Sequence, residues 1–327
     1  MNSDLKVTFH TVVNLGQENQ LYVWLIRMKH LIERDALKKN VVLSVLLHPD
    51  IQLENFPQLP CIIRFLKAPQ FSEPDLLKLA ALNEALAPSC KTAVFMSLNV
   101  LPTQSLKLFL EFGENNSNHL TGLMPSQNRK LWQDSDEHFR RMAITKNYYT
   151  SDLLVFDVDT ASRKLATTRT FDLVERRQLI TNSGANIVDD ILNKLLPSRC
   201  GFKEADVFYL DPVYLNDNAA LLDSPRSKVN VAAVYSQEAL PWNDTTASPI
   251  EKLTPYDLYA TATCQASEWL SPDFVASVLK KANYWLQQDK LRSAYLPSEL
   301  TELLCLEATE SQIYHLVCQL RKEGCFQ

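Results

Sequence analysis

The sequence predicts an α/β fold: a mixed, mostly parallel sheet with helices on both faces, followed by a helical C-terminal extension. Three observations carry this. Short runs rich in Val, Ile, Leu and Phe recur through the first half, near-continuous in apolar residues as buried parallel strands are. Stretches with apolar residues at helical spacing separate them. From Pro272 onward every periodic segment is helical.

The elements follow in order. Lys6–Val13 is β-rich and closes on Asn14. Glu18–Arg34 reads as a helix, with Leu21, Trp24, Leu25, Met28 and Ile32 on one face. Val41–Leu47 is a buried strand ending at His48-Pro49-Asp50, and Cys61–Leu66 is another. Ser72-Glu-Pro-Asp opens a helix through Leu86. Ser72 serves as N-cap, Pro74 lies in the first turn, and Asp75 complements the helix dipole. The strand Thr92–Met96 runs into Ser97-Leu98-Asn99, and a helix follows from Thr103 to Phe112. Gly113–Asn128 is polar and reads as a loop. A charged helix, Arg129–Lys146, leads to the strand Leu153–Val158. Helical runs near Asp172–Leu179 and Ala185–Leu196 precede strands Asp206–Leu210 and Val229–Tyr235. Pro241–Pro249, rich in Pro, Asn, Thr and Ser, has the composition of a linker. Helices Pro272–Gln288, Ser298–Leu306 and Glu310–Lys322 complete the chain. The division is a main domain over 1–245 and a helical extension over 246–327.

Composition excludes several functions. A net charge of −5 argues against nonspecific nucleic-acid binding as the main task. No apolar run approaches the roughly 20 residues of a membrane helix, and the N-terminus lacks a secretory signal pattern. Seven scattered cysteines without Cys-x-x-Cys read as reduced thiols, which places the protein in the cytoplasm. The histidines show no metal-ligand spacing. With six glycines and no Gly-x-Gly-x-x-Gly or Gly-x-x-x-x-Gly-Lys, the usual Rossmann and P-loop cradles are absent.

Several segments resemble glycosyltransferases of the GT-A fold. Thr11-Val-Val-Asn14, then Glu18 and Leu21-x-x-x-Leu25, resembles the opening of family two, whose strand end and following helix seat the nucleotide base. Lys78-Leu-Ala-Ala-Leu-Asn83-Glu-Ala-Leu resembles that family's helix ahead of its Asp-x-Asp. Asp189-Asp190-Ile-Leu-Asn193 resembles the Asp-Gln-Asp-x-x-Asn segment of family eight. Val234 to Trp242 resembles its closing His-x-x-Gly-x-x-Lys-Pro-Trp. The resemblance spans about residues 5–245 and implies a GT-A-like domain that takes a nucleotide-sugar donor and a glycan, lipid or protein acceptor.

The departures fall on functional positions. Ser97 and Asn99 stand where the family's two metal-binding carboxylates belong, and a hydroxyl and an amide are weak ligands for a hard dication. Val234 stands in place of the third ligand, Gln237 of the glycine and Leu240 of the phosphate-binding lysine; Pro241-Trp242 remains. The implied activity is therefore metal-independent transfer of a sugar to an acceptor hydroxyl, with no cofactor; the alternative is an inactive pseudoenzyme that serves as a binding or interaction module.

In the first reading Ser97, Asn99, Thr11, Asn14, Asp50, Arg64 and Trp242 bind the nucleotide sugar. Asp190, then Asp189, supplies the general base or the pocket carboxylate. Several have a plainer reading beside them. The two aspartates form an acidic first helical turn, Asn14 and Asp50 are turn residues, and Arg64 and the pair Arg140-Arg141 are solvated surface charges. The tail 296–324 resembles a helix-turn-helix with Ser311, Gln312 and His315 outward. Glu307, Glu310 and the scarcity of flanking cations favour a helical hairpin that packs on the main domain or self-associates.

Overall fold

The computed structural model describes residues 7–53, 55–69, 72–85, 90–98, 100–102, 106–107, 109–110, 121–125, 149–158, 207–209, 233–235, 259–288, 296–306 and 308–326. Strands β1 (Val7–Val13), β2 (Val41–Leu47), β3 (Ile62–Lys67) and β4 (Thr92–Met96) run parallel in the order β3-β2-β1-β4. The sheet continues through β7 (Tyr149–Asp157), antiparallel to both of its neighbours, then β6 (Thr121–Pro125) and β8 (Val207–Tyr209), which is parallel to β6. β5 (Val100–Pro102) and β9 (Ala233–Tyr235) form a separate antiparallel pair. Every residue of β1, β2 and β4 is buried, as a doubly covered parallel sheet requires. β3 ends the sheet and shows it: Ile62, Arg64 and Lys67 are exposed.

The two faces are covered differently. Helix α1 (Glu18–Arg34) sends Leu21, Trp24, Leu25 and Met28 onto Phe9, Val13, Leu43, Val45, Leu47, Val94 and Met96. Phe109 meets Phe9 edge-to-face at 5.6 Å between centroids. Burying each large apolar side chain there stabilises the fold by roughly 1.5–3 kcal/mol. Helix α2 (Pro74–Ala85) packs on β1, β2 and β4 from the other side, with Leu77, Ala81, Leu82 and Ala85 buried. Strand alternation gives that face Thr8, His10 and Ser44, all buried.

C-terminal to these, residues 259–266 are helical and lead into a 3-10 turn, Ser267–Trp269. Helices α3 (Pro272–Gln288), α4 (Ser298–Cys305) and α5 (Glu310–Lys322) follow. Their core, built from Ala262, Val275, Leu279, Leu300, Ile313 and Val317, also takes in Val23 and Ile26 of α1 and Leu101. α1 is therefore apolar on two sides, which reading a single stripe from its sequence does not reveal. Thr309-Glu-Ser-Gln312 forms a capping box at the start of α5. The Gln312 side chain accepts from the Thr309 N–H at 2.9 Å, and the Thr309 hydroxyl accepts from the Gln312 N–H at 3.3 Å. The Gln312 side-chain oxygen is thus committed to the cap, while Ser311, Gln312 and His315 are all exposed along α5. α5 ends in a Schellman turn at Gly324, whose φ of +80° favours glycine; the Cys325 N–H reaches Leu320 O at 3.0 Å.

Three elements differ from the sequence reading. β6 lies in the stretch that reads as a polar loop, held by pairing on both sides rather than by its own hydrophobicity. β5 stands between the Thr92–Met96 strand and the helical residues 107, 109 and 110, a strand the sequence reading lacks. The 259–266 helix packs largely through small residues, Ala260, Ala262 and Ala266, which carry little periodic signal. The helices expected at 129–146, 172–179 and 185–196, and the linker at 241–249, lie outside the described residues. Among the described residues six cysteines are free, and no helix is long and apolar enough to cross a membrane.

Candidate functional site

In the order β3-β2-β1-β4 the chain reverses direction of growth between β1 and β4, and open α/β sheets bind ligands outside the carboxyl ends of strands at such a point. Asn14 follows β1 and Ser97 follows β4, so the two stand beyond the ends of adjacent strands.

The β1–α1 turn is built around Asn14. Its carbonyl accepts from the Gln17 N–H at 3.1 Å, and its own N–H donates to Gln17 Oε1 at 3.0 Å. Gly16 sits between them at φ +80°, the third position of a turn where only a residue tolerant of left-handed backbone fits. With the backbone satisfied by Gln17, the Asn14 side chain is left over. Its Oδ1 is buried without a hydrogen-bond partner among the described residues.

Ser97 opens a second tight turn, its carbonyl accepting from Val100 N–H at 3.0 Å. The residue is 8% exposed, and its Oγ also lacks a partner among the described residues. The turn feeds β5, whose partner β9 arrives from the far half of the chain: Val100 pairs with Tyr235 and Leu101 with Val234. Val234 and Tyr235, the first residues of the second stretch singled out by the family resemblance, thus lie beside the strand that follows Ser97. On the α2 side of the same strand, Lys78 Nζ lies 5.9 Å from the Phe95 ring centroid, a cation that sequence reading passed over.

The other expected residues are placed variously. Thr11 lies within β1 on the α1 face, fully buried, with Oγ1 unpartnered among the described residues. Asp50 lies past β2, its side chain 77% exposed. Arg64 is exposed within β3, opposite Ser44 and short of the strand's carboxyl end, so the structure does not bring it to Asn14 and Ser97. Asn99, Asp189, Asp190 and Trp242 lie outside the described residues.

Two histidines went unassigned in the sequence reading. His48 is buried at the end of β2: its Nδ1 accepts from Asp50 N–H at 3.2 Å, which leaves Nε2 to donate to Ser72 O at 3.1 Å. It ties the β2 end to the start of α2. The strand-ending His48-Pro49-Asp50 was its available signal. His10 is buried under α2 with Nε2 unpartnered among the described residues. Burial first, then the Arg64 charge, lowers its pKa to about 4, so it is neutral at pH 7. Among the described residues no group of three or more His, Cys, Asp or Glu side chains is placed to hold a metal ion.

No family model and no curated protein matches the sequence. Among solved structures, the chain is similar to the galactosyltransferase LgtC, solved in complex with donor and acceptor sugar analogs. The TM-score is 0.53 at 16% identity, over 79% of this chain and 95% of that one. It is also similar to the apo-form glycosyltransferase GlyE of Streptococcus pneumoniae TIGR4, with a TM-score of 0.53 at 11% identity, over 81% of this chain and 63% of that one. At these identities the likeness is one of fold, and the fold is GT-A-like.

Proposed function

We propose that the edge formed by Asn14 and Ser97 binds a nucleotide sugar, and that the protein transfers its sugar to an acceptor hydroxyl without a divalent metal. One observation carries this reading. The β5–β9 pair returns the Val234 segment to the Ser97 turn at the switch point, where two buried side-chain oxygens lack partners. A GT-A-like fold with that juxtaposition has the layout for a donor site, and neutral Ser97 and Asn99 favour direct hydrogen bonding over metal ligation.

In this reading Ser97, Asn99 and Asn14 hydrogen-bond the ribose or diphosphate, and Asp50 and Trp242 contribute at the rim, whereas Thr11, fully buried beneath α1, and Arg64, short of the strand end, take no part. Asp190, with Asp189 second, is the base that deprotonates the acceptor or the carboxylate that lines the sugar pocket. Charge developing on the leaving diphosphate is met by preoriented hydroxyl and amide groups rather than by an ion.

The test is a thermal-shift panel of uridine and guanosine diphosphate sugars, each with and without manganese. The expected result is stabilisation by one donor, equal in both conditions and weakened at least tenfold in affinity by Ser97→Val or Asn14→Ala. Absence of stabilisation by every donor under both conditions overturns the reading. Binding without turnover over a panel of acceptors selects the pseudoenzyme, in keeping with the lost carboxylates at 97 and 99.

A further inference from the structure

A cavity of about 680 Å³ lies between the second half of α1 and the C-terminal helices. It sits on the other end of α1 from Asn14, with walls that include Arg27, Lys29, His30, Gln265, Trp269 and Arg321. Its size suits a small ligand. Its charge is unlike that of the Asn14–Ser97 edge. Arg27, Lys29 and Arg321 face Glu33 and Glu268, while Arg34 is matched by Asp35 at 3.2 Å. Arg27 Nε is engaged outside this set, donating to Pro102 O at 2.7 Å.

Arg321 Nε lacks a partner among the described residues, and Gln265 Oε1 meets only His30, too loosely for a hydrogen bond. Gln265 is 8% exposed, and its amide nitrogen already donates to Phe326 O at 2.6 Å, which the Schellman turn at Gly324 presents. Arg321 spends a terminal nitrogen on Glu268 at 2.7 Å and keeps Nε. The pair requires opposite things: Arg321 Nε wants an acceptor, preferably anionic, and Gln265 Oε1 wants a donor. Trp269 adds an apolar wall.

We propose that this cavity is a second ligand site, which takes a small hydroxylated anion of the polyol-phosphate class. The phosphate meets Arg321 and Lys29, and a hydroxyl donates to Gln265. Burial first, then Arg27 and Lys29, lowers the pKa of His30, against weaker opposition from Glu33 and Gln265.

The probe is glycerol 3-phosphate, measured by thermal shift on the full chain against inorganic phosphate and sodium chloride at matched ionic strength. The same glycerol phosphate group heads phosphatidylglycerol, so flotation with phosphatidylglycerol against phosphatidylcholine vesicles separates a membrane source from a soluble one. Expected is saturable stabilisation by glycerol 3-phosphate, stronger than by phosphate, or retention on phosphatidylglycerol alone. Either is weakened about tenfold or more by Lys29→Ala and left intact by Ser97→Val. Lys29 has no bonded partner among the described residues, so its removal leaves the fold in place. Gln265→Leu is expected to abolish the preference for glycerol 3-phosphate over phosphate. Binding unchanged in Lys29→Ala, binding lost in Ser97→Val, or no binding in either format overturns the proposal.

Discussion

The two faces of the parallel strands differ although the same strands build both. Beneath α1 the strands present Phe9, Val13, Leu43, Val45, Leu47, Val94 and Met96, an apolar layer interrupted by Thr11. Beneath α2 they present Thr8, His10 and Ser44 set among Val12, Val42, Leu46, Ala93 and Phe95, and Ser97 continues the alternation past β4. An unpartnered buried hydroxyl costs roughly 1–3 kcal/mol, so the second face holds polarity that stability alone does not favour. The α1 face holds the sheet together, whereas the α2 face leads to the candidate site and makes the fold sensitive to pH.

The sharpest way to break that contrast is Phe9→Ala. The side chain is fully buried against Phe109, and its loss is expected to cost about 3–5 kcal/mol, read from the urea midpoint. If the loss is under 1 kcal/mol, the α1 face is not the one that carries stability.

Second comes acid. His10 has a folded pKa near 4 against 6.5 unfolded, so below pH 6.5 the unfolded chain binds a proton that the folded one refuses. Its contribution is fully present above pH 6.5 and is lost as pH falls toward 4, about 3 kcal/mol in all. Urea titrations from pH 7.5 to 4 should show this slope in the wild type and a shallower one in His10→Phe. Equal slopes remove His10 from the account.

Gly16→Ala tests the joint between strand and site. A Cβ there would meet nothing within 4 Å, so the expected cost of about 1 kcal/mol is purely that of a left-handed backbone. Donor affinity should fall with it, since the turn positions Asn14. The smallest expected effect is Thr8→Val, which removes an unpartnered hydroxyl: stability should be unchanged or raised by under about 1 kcal/mol. A clear loss would show that Thr8 is satisfied after all.

Much of the fold was legible because its signals are local. β2, β4, α3 and α5 sit where runs and periodicities put them, and the β1–α1 pair is nearly as close. Asn14 and Ser97 were legible as polar residues following apolar strands. What escaped depends on distance in sequence. β6 draws its stability from two neighbours, and β5 from a strand in the other half of the chain, so neither announces itself in its own residues. The second apolar side of α1, Val23 and Ile26, makes sense only once the C-terminal helices are in place. Arg64, expected to bind the donor, stands mid-strand, with three more residues following it to Lys67.

β3 carries a consequence of a different kind. As the last strand of the sheet it offers a row of backbone donors and acceptors to any passing chain, with Ile62 56% exposed beside it. Phe65 is partly shielded by Phe56, whose ring packs edge-on at 4.9 Å, while Arg64 and Lys67 set two positive charges along the strand. Two molecules meeting edge to edge would have to bring those charges together. The arginine that looked like a ligand for phosphate is well placed to keep the protein from polymerising.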